Sequence, residues 1–267
     1  MASDSEAMRR VIIAVVLTVL ALAAVTASLV FITALTSVPS GDAINEQSAF
    51  YPEEIEKIEV DVSVAFVSVY KTSGSLVEVE LVESREGLYS TSLSGGVLTF
   101  TESRSSWTDK LFRSDINRYG ISIGIPEGMS VGLGIDAETS AVTLSGVTLT
   151  GSTEISVRTG SITINDVKTD GYISADITTG NVSYDGVTCN EISADVTTGD
   201  VFIRNVNAGK AISLTTVTGR VYGFISGSRD DYRITAVTDN GTSSLKSGGD
   251  GDVELIVKVA TGNINIK

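Results

Sequence analysis

The chain has 267 residues, no histidine and a single cysteine, Cys189. That composition excludes Ser–His and Cys–His catalysis, His-ligated zinc, imidazole pH switching and any internal disulfide. The formal net charge of −14 repels nucleic acid and anionic lipid surfaces, so no nucleic-acid partner is expected.

In chain order, residues 1–10 form a short tail carrying Arg9 and Arg10, and residues 11–35 follow without a charge (VIIAVVLTVLALAAVTASLVFITAL). As a helix this run is about 37 Å long, enough to cross a hydrocarbon core of ~30 Å. A cleavable signal has a shorter apolar region, about 7–15 residues, and ends in a small-x-small site. The expectation is therefore a retained single-pass transmembrane helix in contact with the lipid bilayer. No Lys or Arg occurs between Arg10 and Lys57, so the positive-inside rule puts the N-terminus in the cytoplasm and the remainder outside the cell.

Residues 36–56 are mostly polar, carry Pro39 and Pro52, and read as a stalk. From Lys57 the pattern IEVDVSVAFVSV alternates like a strand pair, and SLVEVELVES, YSTSLSGGVLTFTES and ISIGIPEG add further strands. Residues 57–130 are expected to form an irregular β cap, with a hairpin bent at Gly95-Gly96. Ala65 stands where a repeat glycine would fall, which makes Lys57–Val69 a candidate diverged first coil.

Residues 131–267 carry a repeat of about twenty residues built around a Thr-Gly step. The step occurs at Thr159-Gly160, Thr179-Gly180, Thr198-Gly199, Thr218-Gly219 and Thr261-Gly262, with degenerate copies at Asn240-Gly241 and Thr139-Ser140. Around Gly180 the apolar positions are Ile173, Ala175, Ile177, Val182, Tyr184 and Val187. Around Gly199 they are Ile192, Ala194, Val196, Val201, Ile203 and Val206. Steps of two residues with one apolar face mean β-strand, and the break at Thr-Gly means a corner where a Cβ would interfere. Strands this short bury a face only by stacking on the next copy, so the expected fold is an all-β parallel solenoid, right-handed by the crossover rule. An antiparallel sandwich shares the short alternating strands but does not keep one residue pair in register over so many copies.

The Val-rich opening strands, the I-x-I-P strand and the copies ISADITTGNVSY, ISADVTTGDVFI and ISLTTVTGRVYG together resemble a bacterial family of β-strand-repeat domains of unknown function. That family is labelled as candidate adhesins and includes LiaG-like proteins of the cell envelope. The resemblance covers most of residues 57–267. It implies a β-repeat fold and a location at the cell surface, and it brings no catalytic residues.

Five residues are candidates for a partner-binding surface. Phe202 and Tyr222 share an outward position on consecutive coils, with Arg204 and Arg220 close in sequence. Aromatic and arginine side chains concentrate interface energy, although a cross-coil aromatic pair also serves stability. Trp107 lies in the one long stretch without alternation, residues 101–119, which reads either as a contact loop or as a lid over the core.

Other features give no site. Asp176 and Asp195 fall on one outward column at a spacing compatible with a glycosidase pair or calcium, but a flat solvated face lacks the cleft that chemistry needs. The run GGDGD at residues 248–252 has Val253 where a calcium nonapeptide repeat needs aspartate. The Thr column lacks the regular second column that an ice-binding surface would want, and stacked corner threonines explain it. No metal, cofactor or catalytic residue is therefore expected. The sequence reads as a non-enzymatic surface module for a protein or glycan partner. One alternative is homo-oligomeric end-to-end stacking, because the strand at residues 263–267 has no evident cap. The other, a carbohydrate-active β-helix enzyme, is disfavoured by the absence of large inserted loops.

Overall fold

The computed structural model describes residues 31–32, 45–51, 54–83, 87–103, 119–129 and 131–267. Except for Phe31–Ile32, which pair antiparallel with Ala49–Phe50, the expected membrane span at 11–35 lies outside the described residues, as does Trp107. Among the described residues no helix is long and apolar enough to cross a membrane.

The repeat folds as sequence periodicity dictates. Coil 1 is Lys57–Thr72, and coils 2 to 8 occupy 132–149, 153–169, 172–188, 191–207, 211–225, 232–245 and 253–266. Coils 1 to 6 stack in order through parallel ladders without a shift at the corner, and Ala65 pairs with Ser140 as its position demands. The fold is thus all-β and solenoid-like. Its core is the set of inward columns: Ile155, Ala175, Ala194, Leu214 and Val257 are no more than 1% exposed. Tyr184, the largest fully buried side chain among the described residues, donates from Oη to the Ser193 carbonyl at 2.6 Å, satisfying the one polar atom it brings inside.

Two corner columns set the coil shape. At the first, Gly160, Gly180, Gly199, Gly219 and Gly262 have φ between +140° and +150°. A Cβ on any of them would stand 1.7–1.8 Å from the carbonyl oxygen of the residue one coil away. Where threonine replaces an inward residue beside this corner, its hydroxyl donates to a glycine carbonyl: Thr216 Oγ1 to Gly199 O and Thr238 Oγ1 to Gly262 O, both at 3.0 Å. At the second corner, Gly146, Asp166, Gly186 and Asn205 all take left-handed φ of 52–70°, a region that Asp and Asn tolerate better than other non-glycine residues.

Stacking order departs from chain order at the far end. Coil 6 pairs with coil 8, and coil 8 pairs on its other side with coil 7. The strand Ile264–Ile266, expected to end the rod uncapped, is therefore held between two coils. The outer position belongs to Tyr232–Asn240. Its edge is partly covered by residues folding back, with Ile234 and Gly248 exchanging backbone hydrogen bonds of 3.0 and 2.8 Å. Ser247 Oγ accepts from the Ala236 N–H at 2.9 Å and donates to its carbonyl at 3.1 Å. Such covering is a recurrent defence of strand edges against pairing with other chains.

The opposite end is covered by antiparallel β-structure. Gly120–Pro126 lies parallel to the second half of coil 1, and Val77–Glu83 pairs antiparallel with it. The hairpin of Tyr89–Ser94 and Val97–Glu102 turns at Gly95-Gly96 and pairs with the first half of coil 1. Asn45–Tyr51, expected to belong to the stalk, instead forms a strand beside Val77–Glu83. Tyr51 and Ile55 are buried, so the chain enters the fold before residue 57. Glu83 is fully buried, and its carboxylate accepts from the Tyr89 N–H at 2.8 Å, the Gly87 N–H at 3.2 Å and Gln47 Nε2 at 3.3 Å.

Candidate binding face

Three columns on the strand that follows the glycine corner build the aromatic face. The middle column runs Thr163, Ser183, Phe202, Tyr222 and Asn265 across successive coils. The ladder brings Phe202 and Tyr222 together with ring centroids 5.3 Å apart and planes tilted by 48°, a geometry favourable to aromatic pairs. Phe224 stands two residues beyond Tyr222 on the same outward side. Tyr222 and Phe224 are 37% and 50% exposed, and Phe202 is half-buried.

The arginines are fixed by the flanking columns. Arg204 pairs with Asp185 on the coil before it, through Nε at 2.9 Å and through Nη2. Arg220 bonds Asp200 through Nε at 3.2 Å and Nη2 at 2.5 Å, and its backbone N–H donates to Oδ1 at 2.8 Å. These bonds, Arg204's foremost for Asp185 and Arg220's for Asp200, hold both carboxyls below the usual range. The guanidinium of Arg220 also lies 5.4 Å from the Tyr222 ring centroid, within cation–π range. Exposed pairs of this kind add little stability, but they fix both guanidinium groups, that of Arg220 beside the Tyr222 ring.

Phe224 was not among the expected residues. Its inward neighbour should be a large apolar residue, but Gly223 occupies the slot, and a Cβ there would meet the Ile203 carbonyl oxygen at 1.8 Å. The missing apolar mark hid Phe224 from the pattern. Trp107 lies outside the described residues.

On the other side of the glycine corner, the outward residues beside Thr178 border a shallow, open depression of about 400 Å³. One wall holds Asp136, Ser156, Asp176 and Asp195, and the other includes Thr178 and Thr197. Asp176 and Asp195 are ladder neighbours. Partial burial first, and the Asp195 charge second, raise the Asp176 carboxyl above its ordinary range. Among the described residues no group of three or more acidic or cysteine side chains is arranged to hold a metal ion. Cys189 is buried, and burial, with Glu191 contributing less, pushes its thiol up to about 11, so it stays protonated at neutral pH.

No curated protein matches the chain. A candidate cell adhesion protein of Clostridium sporogenes is similar in structure, with 13% identity, 84% of this chain and 99% of that one covered, and a TM-score of 0.41. A candidate adhesin of Bacteroides fragilis shares 13% identity over 83% and 97% of the two chains, with a TM-score of 0.39. Another, from Parabacteroides merdae, shares 11% over 82% and 95%, with a TM-score of 0.40. The Toastrack DUF4097 family matches residues 55–267, from the buried Ile55 through all eight coils, and the chain belongs to that family.

Proposed function

We propose that this protein is a non-enzymatic surface interaction module, held at the outer face of a membrane by residues 11–35, with its β-domain extracytoplasmic. It docks a protein or glycan partner through Phe202, Tyr222 and Phe224, with Arg204 and Arg220 alongside. The observation that carries the reading is the exposed aromatic face itself: rings on consecutive coils in contact at 5.3 Å, bordered by two oriented guanidinium groups. The ladder already fixes the backbone that carries these side chains, so binding adds little backbone ordering cost. Most of the remaining outward columns are Ser, Thr, Asp and Gly, which offer little apolar area.

Two measurements test the two halves of the proposal. Protease added to intact, wall-stripped cells should degrade the β-domain while the N-terminus is retained; a secreted form lacking the first ~30 residues would remove the anchor. On a glycan array and on native envelope fractions, Phe202→Ala with Tyr222→Ala should lower binding at least tenfold while the β-domain stays folded, with only a small drop in the melting midpoint. Unchanged binding by the folded variant would eliminate the face.

A further inference from the structure

The path of the chain after coil 6 separates the last two coils from the rest. Having reached Ile225, the chain passes over the next stacking position and builds coil 7 one place further out. It returns through residues 246–252 and only then fills the vacant position with coil 8. Coil 7 is laddered to coil 8: Gly262 N–H donates to Asn240 O, and Ile264 N–H to Thr242 O, both at 2.9 Å. Coil 8 carries the ladder to coil 6, with Gly219 N–H donating to Thr261 O at 3.0 Å and Val221 N–H to Asn263 O at 3.1 Å. Residues 232–267 are thus a two-coil unit that meets the remainder of the solenoid chiefly across one interface, through the coil that comes last in sequence.

From this topology we infer that the unit 232–267 exchanges between molecules, and that the partner fitting the edge of coil 6 left open when the unit swings out is a second copy of this chain. Coils 2 to 5 cannot exchange in this way, since each is enclosed by its neighbours on both sides. The end unit needs only to swing about the connection at 226–231, where Gly227 takes φ +74°. These six residues reach roughly 20 Å when extended. An exchanged pair restores the same ladder and reburies Leu255, Val257 and Val259, each no more than 2% exposed, so what distinguishes the two forms is the hinge and the protein concentration. The partial cover over Tyr232–Asn240 travels with the unit, and a reciprocal exchange, each unit docking on the other molecule's coil 6, closes at two molecules.

The test uses full-length protein in detergent micelles with Cys189→Ala as background. Thr215 and Lys258 are ladder partners across the coil 6–coil 8 boundary, and both point outward. Thr215→Cys and Lys258→Cys are prepared as separate proteins, mixed, held just below the melting midpoint, cooled and treated with a short bis-maleimide. We expect a heterodimer on a denaturing gel that contains one chain of each variant and rises severalfold on a tenfold increase in concentration. A mixture of Asp176→Cys and Asp195→Cys, partners between coils 4 and 5, should give none. A single chain carrying both Thr215→Cys and Lys258→Cys calibrates the reaction by linking internally. Internal linking without any mixed heterodimer overturns the inference, and so does equal linking in the control mixture, which would report general unfolding.

Discussion

Gly180 lies against Gly160 so closely that a Cβ on Gly180 would stand 1.8 Å from the Gly160 carbonyl oxygen. The same contact recurs from Ser140 to Gly219, on to Gly262, and then to Gly241. Gly180→Ala should therefore combine a backbone clash with an unfavourable φ of +140° and cost more than about 3 kcal/mol. Ser183→Ala, three residues further on and half-exposed, should stay within about 0.5 kcal/mol. Urea melts of the two variants make the comparison.

Alternation predicts a second contrast. Ile177 is 3% exposed, whereas its neighbour Thr178 is exposed at the corner. Ile177→Asp places an unpaired charge in the core and should cost several kcal/mol, against about 0.5 kcal/mol or less for Thr178→Asp. Equal denaturation midpoints for the two would contradict an interior built from the inward columns.

Glu83 tests the end that covers coil 1. Its buried carboxylate accepts two backbone N–H bonds and one from Gln47. Glu83→Ala leaves those donors without their acceptor and should cost about 3 kcal/mol, whereas Glu83→Gln keeps one acceptor oxygen and should cost less. Hydrogen exchange at the Gly87 and Tyr89 amides should accelerate in the alanine variant. Wild-type exchange rates in that variant would remove Glu83 from this role.

The acidic columns predict opposite pH responses. Asp185 and Asp200 have lowered carboxyl pKa values in the folded state. Their stabilising contribution is present above the ordinary aspartate range near ~4 and is lost as pH falls through the lowered folded values. Asp176 is raised, so its charged form weakens the fold at neutral pH, and the penalty disappears as pH falls through that raised value. Asp176→Asn should then raise the melting midpoint at pH 7 and lose its advantage on acidification. Asp200→Asn should lower the midpoint at pH 7 and flatten the acid limb. Thermal melts between pH 3 and pH 7 read both signs.

The solenoid was legible because its governing constraint is local: each coil needs one residue without a side chain at the corner, and each inward column needs an apolar residue. Those two demands leave marks at fixed intervals, clear enough to align Ala65 with Ser140. The second corner also left marks, in the pairs Gly146-Val147, Asp166-Val167, Gly186-Val187 and Asn205-Val206, but its changing residue types concealed a shared left-handed backbone. Stacking order was not legible. Thr218, Thr261 and Asn240 occupy equivalent positions, and equivalent coils carry nothing that says which neighbour each prefers. The Asn45–Tyr51 strand was hidden for a related reason: its polar composition matches a linker as well as a strand, and its partner residues lie 26 to 38 positions further along the chain.

The inverted order of the last two coils has a consequence for how the chain is made. A solenoid emerging from a ribosome or a translocation pore can add coils 1 to 6 one at a time, each templated by the coil already in place. Coil 7 has no such template when it appears, because its ladder partner is still to come. Assembly therefore pauses after Ile225, with the coil 6 edge and a growing tail both waiting in solvent. It resumes only when Val253 to Ile266 have arrived to serve as template for one side and docking strand for the other. The final step joins both coils at once: residues 253–266 close onto coil 6 and take coil 7 on their other side.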